Sequence, residues 1–197
     1  MATIDPLLID LPPPLASERL LLRAPCAGDG AALNEAVVEC SDQLKPWMPW
    51  AQGLPSVEQS ELVCRQMAVH FAQRSDLPMF IFDRGTGHFI GGTGLHRFDW
   101  SVPRFEIGYW VRHSAQGRGL VTEALQTLAR FAFDGLRARR VEVRMSSANQ
   151  RSRAVAERCG FTLEGVLRQD SLSTDGQPRD TVVYARVRGV EEPDVVG

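Results

Sequence analysis

A glycine-rich turn near the middle of the chain separates a strand pattern from a long amphipathic helix pattern. The turn contains Gly117 and Gly119 and follows the apolar segment 105–111. The helix pattern extends over 117–136, and its predicted inner face consists of Val121, Ala124, Leu125, Leu128, Ala132 and Leu136. A second strand pattern follows at 141–145. Since strand–helix–strand units within one sheet form right-handed parallel crossovers, this unit predicts an α/β fold with a parallel pair at its centre.

Further helix and strand patterns extend this sheet on both sides. Before the turn we predict strand 19–23, helix 31–40 capped by Asp29, a helix from Ser56 to about Arg74, and strands 79–83 and 88–92. After it we predict a short helix from Asn149 to Gly160 and strands 161–167 and 181–187. Ser56 and Gln59 form an S-x-x-Q capping box. The prediction is about seven strands and four helices in a domain over 17–188, with an N-terminal arm at 1–16 and a flexible tail at 189–197.

The composition excludes several classes of protein. The 197 residues include 22 basic and 24 acidic side chains, a net charge of −2. General nucleic-acid binding needs a basic excess, so we expect no nucleic-acid partner. No apolar run reaches the roughly 18 residues of a membrane span, and the first residues lack the positive charge of a signal peptide. The four cysteines are too scattered for a zinc site; we predict no metal and a reducing, cytoplasmic location.

The glycine-rich turn has the properties of a phosphate-binding site. Glycine lets the backbone approach a ligand closely, and the free N–H groups at a helix start attract anions. The turn lacks the GK[ST] end of a Walker loop and the spacing of a dinucleotide fingerprint. From these residues alone, a simple tight turn is an equally valid interpretation.

Residues 116–124 read QGRGLVTEA and closely resemble the pyrophosphate-binding motif of the GNAT (Gcn5-related N-acetyltransferase) superfamily. Three further segments match in the family's order: EIGYWV at 106–111, NQRS with a following CGF at 149–161, and the hairpin around 175–184. The resemblance covers about 17–188. The N-x-x-S form and the WMPW segment at 47–50 point to the ribosomal-protein-serine and -alanine N-acetyltransferases. The family's fold is a mixed, mostly antiparallel sheet whose central parallel pair splays apart.

The resemblance implies acetyl-CoA as the cofactor. The pyrophosphate would bind the backbone of Gln116, Gly117, Arg118, Gly119, Leu120, Val121 and Thr122, and pantetheine would pair with Tyr109, Trp110 and Val111 and contact Asn149. Arg151, Arg153 or Arg158 would reach the 3′-phosphate. A bulge in 105–111 would turn an N–H group toward the acetyl oxygen. One departure from the family pattern is Val121, where a glycine or alanine is usual.

An acetyl transfer to an amine needs a base and an acid. Glu106 is the predicted base, because alternation places it on the strand face opposite its apolar neighbours; an ion pair with Arg104 or Arg144 is the alternative. His96 and His113 are other candidate bases, and Asp170 is a weaker carboxylate candidate. By resemblance, Ser152 would protonate the departing thiolate, although it and Asn149 also suit helix-capping roles.

The acceptor amine would bind beside two aromatic segments. By resemblance, the loop that contains Trp47 and Trp50 walls the acceptor site. Phe98 would face the same slot, and Asp99 would attract a cationic amine. The resemblance favours a protein N-terminal α-amine as the acceptor; a small amine and a non-catalytic acyl-CoA-binding module remain alternatives. Late strands in this fold often pair between subunits, so we expect a homodimer.

Overall fold

A computed structural model describes residues 5–11 and 14–194. The strands are β1 (Leu15–Ala16), β2 (Leu20–Arg23), β3 (Leu77–Asp83), β4 (Phe89–Asp99), β5 (Arg104–Val111), β6 (Arg140–Ser146), β7 (Thr162–Leu172) and β8 (Pro178–Val187). The helices are α1 (Gly30–Leu44), α2 (Val57–Gln73), α3 (Leu120–Asp134) and α4 (Gln150–Arg158). No helix of the described ranges is long and apolar enough to cross a membrane.

The strands form one eight-stranded sheet in the order β1-β2-β3-β4-β5-β6-β8-β7. All neighbours are antiparallel except β5 and β6. That parallel pair is joined at Arg104–Arg140, Phe105–Val141 and Glu106–Glu142, and beyond Glu106 the two strands part. The predicted mixed sheet with a splayed central pair is therefore confirmed. The additional strand is β1, which lies at the end of the predicted arm; residues 1–4, 12–13 and 195–197 are outside the described part of the chain.

Helices cover both faces of the sheet. On one face, α3 and α4 bury their apolar residues against alternate side chains of β5 and β6, among them Phe105 and Val141. On the other face, α1 and α2 pack on Phe80, Phe82 and Phe89. Burial of each such side chain stabilises the fold by about 1.5–3 kcal/mol. These helices leave the gap between the diverging strands open.

Local sequence signals predicted the start of α2 correctly; for α1 they located the N-cap residue, Asp29, but not the role of its side chain. Gln59 N–H donates to Ser56 Oγ at 3.2 Å and Ser56 N–H donates to Gln59 Oε1 at 2.8 Å, which confirms the capping box. Asp29 makes no side-chain capping bond. Its carboxylate instead accepts from Arg23 at 2.6 and 2.7 Å, because a guanidinium on β2 is a stronger partner than an amide.

The residues after β8 make hydrogen bonds within the described part of the tail. Gly189 N–H donates to the carbonyl of Glu192 at 2.6 Å, and Arg188 Nη1 donates to the carbonyl of Pro193 at 3.2 Å. Residues 189–194 therefore turn back against the end of β8.

Candidate active site

The gap between β5 and β6 holds a cavity of about 1120 Å³. It extends from the start of α3, past α4, to the point where the two strands begin to part. The predicted cofactor-binding residues that line it are Tyr109, Trp110, Val111, Gln116, Gly117, Gly119, Leu120, Val121, Thr122, Asn149 and Ser152. Arg118 is not among the lining residues, and neither is Arg153, which bonds to Tyr184 at 3.2 Å. Arg151 and Arg158 do line the cavity.

The glycine-rich turn opens one end of this cavity. Gly117 and Gly119 have φ values of 71° and 74°, in the left-handed region that favours glycine. The first intrahelical bond of α3 runs from Glu123 N–H to the carbonyl of Gly119 at 3.1 Å. The N–H groups of the preceding turn of α3, residues 120–122, are therefore free to bind an anion. This arrangement fits a pyrophosphate group.

One predicted backbone donor is already occupied. Gln116 N–H donates to the carbonyl of His113 at 3.1 Å, so the prediction that this amide holds the pyrophosphate is wrong. The Gln116 side chain donates to Gln43 Oε1 at 2.6 Å and accepts from Arg151 at 3.4 Å. Gln116 therefore connects α1 and α4 across the cavity mouth.

The start of α3 is fixed by a carboxylate that the sequence analysis did not single out. Glu123 accepts from Ser17 Oγ at 2.7 Å and from the backbone and side-chain nitrogens of Arg19 at 2.9 and 2.7 Å. Burial would raise the pKa of Glu123, but these hydrogen bonds hold it below its ordinary value. Arg19 also donates to the carbonyl of Arg118 at 3.0 Å. The glycine-rich turn is thus held from the β1–β2 side.

A second ion-pair cluster holds the segment before the turn. The buried Arg112 side chain binds Glu35 at 2.6 Å, His88 Nε2 at 2.7 Å, and Glu39. Ser114 N–H donates to the other Glu39 oxygen at 2.7 Å. The hydrogen bond from Arg112 lowers the pKa of Glu39 to about 2. This cluster fastens the end of β5 to α1.

Tyr109 and Ser152 meet on the cavity wall. Their hydroxyl oxygens are 2.8 Å apart, and Tyr109 also donates to the carbonyl of Ser152 at 3.1 Å. Burial raises the pKa of Tyr109 to about 12. Asn149 Oδ1 accepts from Ser152 N–H at 3.1 Å, so Asn149 caps α4. That bond leaves the Asn149 amide nitrogen as its group for a ligand.

Glu106 lines the cavity where β5 and β6 begin to part. Its side chain is 17% exposed and lies 3.4 Å from Arg97 Nε. Its Oε2 atom is buried and has no hydrogen-bond partner among the described residues. Burial raises the pKa of Glu106, and Arg97 and Arg144 partly oppose that rise. A mostly buried carboxylate whose charged contact is a long ion pair, with no hydrogen bond to its buried oxygen, is costly, and such groups are typical of functional sites.

The alternatives to Glu106 have other partners. The alternative of a structural ion pair for Glu106 is met by Arg97 at 3.4 Å, and not by Arg104 or Arg144, which contact Asp99 at 3.4 Å and Asp170 at 3.0 Å. His96 Nδ1 bonds to Asp76 at 2.7 Å. His113 does line the cavity, next to Gln43.

The bulge expected in the strand over 105–111 is absent from residues 106–111 of β5. Residues 106–111 pair with β4 in continuous register, and the register shift lies between His96 and Asp99 of β4. The prediction of a β5 bulge is therefore wrong. The strand keeps a regular edge toward the gap.

The predicted acceptor residues separate into two groups. Trp47 lines the cavity with Met48, whereas Trp50 is not a lining residue and packs edge-on against Trp110 at 6.0 Å. Phe98 packs on Trp100 and Phe105 at 5.4 and 5.3 Å.

Asp99 does not line the cavity either, because its carboxylate accepts from Ser101 N–H at 3.0 Å and pairs with Arg104. The predictions that Phe98 and Asp99 face the acceptor slot are wrong. They lie where the register shift redirects the end of β4, and no local signal reveals that shift.

Residues 19–162 match the family model of the acetyltransferase (GNAT) domain. The chain belongs to the GNAT family. GNAT enzymes use acetyl-CoA, and the glycine-rich turn and open β5 edge described above fit that cofactor. The protein is therefore an acetyl-CoA-dependent acetyltransferase.

Relatives in the GNAT family share nearly the whole chain. The ribosomal-protein-serine acetyltransferase of Escherichia coli strain K12 is 30% identical over 171 residues, 87% of this chain and 94% of the relative. A solved structure of RimL, a ribosomal L7/L12 α-N-protein acetyltransferase, in complex with coenzyme A has a TM-score of 0.81 and 28% identity. It covers 89% of this chain and 98% of its own.

A second solved GNAT structure is the microcin C7 self-immunity acetyltransferase MccE in complex with acetyl-CoA and AMP. It has a TM-score of 0.82 and 25% identity, and covers 87% of this chain and 94% of its own.

Proposed function

We propose that this enzyme acetylates the N-terminal α-amine of a protein by direct attack within a ternary complex. The observation that carries the proposal is the continuity of the cavity, from the glycine-rich turn to Glu106, whose Oε2 atom makes no hydrogen bond to a described residue, between walls that include Trp47 and Arg179. The similarity to acetyltransferases named for ribosomal proteins supports a protein acceptor.

Glu106 is the proposed base. An α-amino group has a pKa of about 7.7–8.0, so much of it is protonated at neutral pH. Glu106 Oε2 lacks a hydrogen-bond partner and can accept the proton of the bound ammonium group, directly or through a water molecule. Acetyl-CoA supplies the activated acyl group as a thioester. The residues of the cavity orient the amine and exclude competing groups.

Ser152 is the proposed proton donor to the leaving sulfur, with Tyr109 behind it. The hydroxyl groups of Tyr109 and Ser152 each carry one proton, and two hydrogen-bond arrangements of these protons are possible. When Tyr109 donates to the Ser152 carbonyl, the Ser152 proton points to Tyr109; when Tyr109 donates to Ser152 Oγ, the Ser152 proton is free. Because phenols are stronger acids than alcohols, Tyr109 can return a proton to Ser152 Oγ as Ser152 gives one up. Water that enters the cavity as the products leave then returns a proton to Tyr109, and Glu106 releases to it the proton taken from the amine.

Replacing Tyr109 with phenylalanine is expected to lower kcat about tenfold with little change in KM, since one hydrogen bond of ~1–1.5 kcal/mol is lost. The loss should shrink when the donor is an acetyl aryl thioester, whose thiolate needs no protonation. Steady-state kinetics with both donors measures this. The matched control is Tyr184→Phe, because Tyr184 is buried but bonds to Glu157 away from the cavity. Equal losses with both donors would contradict the proton role.

An acceptor panel tests the proposed function. The purified enzyme and acetyl-CoA would be offered ten-residue peptides with a free N-terminal serine or alanine, the same peptides with a blocked N-terminus and an internal lysine, and a polyamine. Mass spectrometry should locate acetate on the free α-amine. Turnover of the polyamine alone would replace the proposal with a small-amine acceptor. Binding of acetyl-CoA without turnover of any amine would favour a non-catalytic module.

A further inference from the structure

A small basic recess lies beside Glu106. Its volume is about 200 Å³, and it is lined by Arg97, Arg104, Phe105, Glu142 and Arg144. Arg144 also lines the main cavity, and Arg97 contacts Glu106 at 3.4 Å. The recess is therefore next to the position where the amine of the acceptor would bind.

The lining of the recess holds three arginines and one glutamate, and of these arginines Arg144 is paired with Asp170 at 3.0 Å. Glu142 is the acidic lining residue, and Arg140 already binds its carboxylate with two nitrogens at 2.9 and 2.8 Å. Arg97 and Arg104 are 68% and 51% exposed, and each has a carboxylate contact no closer than 3.4 Å. A guanidinium has five N–H donors in a planar fork, so both retain donors for a ligand.

Two further observations concern the arginines at this end of the cavity. Arg97 has a φ of 49°, and it lies in the register shift between His96 and Asp99, which turns it out of the regular ladder. Arg179 on β8 lines the main cavity, and no described residue accepts a hydrogen bond or ion pair from its side chain. Arg97, Arg104 and Arg179 thus retain donors at the acceptor end of the cavity, although the sequence analysis expected Asp99 to attract a cation there.

We propose that the recess binds a carboxylate side chain at the second or third residue of the acceptor, so that the substrates are acidic protein N-termini. The inference rests on the proposed function, because it needs the α-amine at Glu106. An extended peptide advances about 3.3 Å per residue, so a side chain one or two residues along reaches the adjacent recess. Arginine binds carboxylates by charge-assisted, often bidentate, hydrogen bonds. A cationic acceptor such as a polyamine would be repelled.

The test compares peptides that differ in one charge. Three peptides with a free N-terminal serine would carry aspartate, asparagine or lysine at position 2, and a second set would vary position 3. In at least one set, kcat/KM should be about tenfold higher for aspartate than for asparagine, and lowest for lysine. Free aspartate as an acceptor separates a peptide carboxylate from a small-molecule one.

Charge reversal on the enzyme completes the test. Arg104→Glu should abolish the preference for aspartate and raise the turnover of the lysine peptide, while the asparagine peptide reports that the variant is folded. Arg104→Gln serves the same purpose if the reversal unfolds the chain. Arg130→Glu, at an exposed position of α3, is the matched control and should keep the preference.

Each other outcome has a distinct meaning. Equal turnover of the three peptides in both sets would overturn the recess proposal and leave the proposed function intact. A preference that survives Arg104→Glu and Arg104→Gln would also overturn it. Turnover of free aspartate above that of the peptides would overturn the assignment to a protein N-terminus. Failure of every peptide with the wild-type enzyme would instead contradict the proposed function.

Discussion

Replacing Glu106 with glutamine is expected to lower kcat for a peptide acceptor by roughly 10²–10⁴-fold, the usual contribution of a positioned general base. Glutamine keeps the size of the side chain and removes its ability to take a proton. The affinity for acetyl-CoA should stay within about twofold, because Glu106 lies at the opposite end of the cavity from the glycine-rich turn. Steady-state kinetics and calorimetry measure the two effects. Full activity of this variant would eliminate Glu106 as the base.

The role of Glu106 as a base also predicts how kcat/KM changes with pH. A base must be deprotonated, so kcat/KM should fall as pH decreases, with Glu106 titrating above its ordinary pKa of 4.5 because burial raises it. Arg97 opposes that rise and Glu142 adds to it. Arg97→Met should therefore move the acid limb to higher pH, and Glu142→Gln should move it to lower pH. Shifts in the same direction would contradict the role of Glu106, since loss of packing would not produce opposite ones.

Replacing Gly119 with valine is expected to weaken acetyl-CoA binding by about 5- to 30-fold. The left-handed conformation costs a side-chain-bearing residue roughly 1–2 kcal/mol, so the variant would relieve strain by moving the turn that presents the free N–H groups of α3. The nearest neighbour of an added Cβ is Arg19 Nη2 at 3.7 Å. The Cβ itself is in ordinary contact, so the strained backbone conformation is the expected source of the effect. Calorimetric titration with acetyl-CoA measures it.

A matched glycine separates cofactor binding from general stability. Gly176 has a φ of 80°, an added Cβ there would meet no atom within 4 Å, and it lies in the β7–β8 turn. Gly176→Val should lower the melting temperature about as much as Gly119→Val while leaving the Kd for acetyl-CoA unchanged. Equal Kd values for the two variants would show that the turn does not bind the cofactor.

Features that depend on neighbouring residues could be predicted from the sequence. The capping box at Ser56, the glycines of the turn and the apolar face of α3 each lie within a few residues along the chain, and their geometry follows from local rules. The splayed sheet and the location of the cavity then followed from the family resemblance.

Features that depend on distant residues could not be predicted. Glu123 binds Arg19 across 104 positions, and Arg112 binds Glu39 across 73. The environment of Asp99 likewise depends on contacts that its neighbouring sequence does not show. Asp99 looked available for a ligand because nothing in the neighbouring sequence revealed the register shift that places it beside Arg104.

The brief pairing of β5 with β6 has a mechanical consequence. Within the described ranges, three residue pairs are the whole ladder between the first five strands and the last three. A bound molecule that hydrogen-bonds along the free edge of β5 would act as a substitute strand and lengthen that seam. The sheet would then be stiffer while the cofactor is bound and more flexible after the product has left.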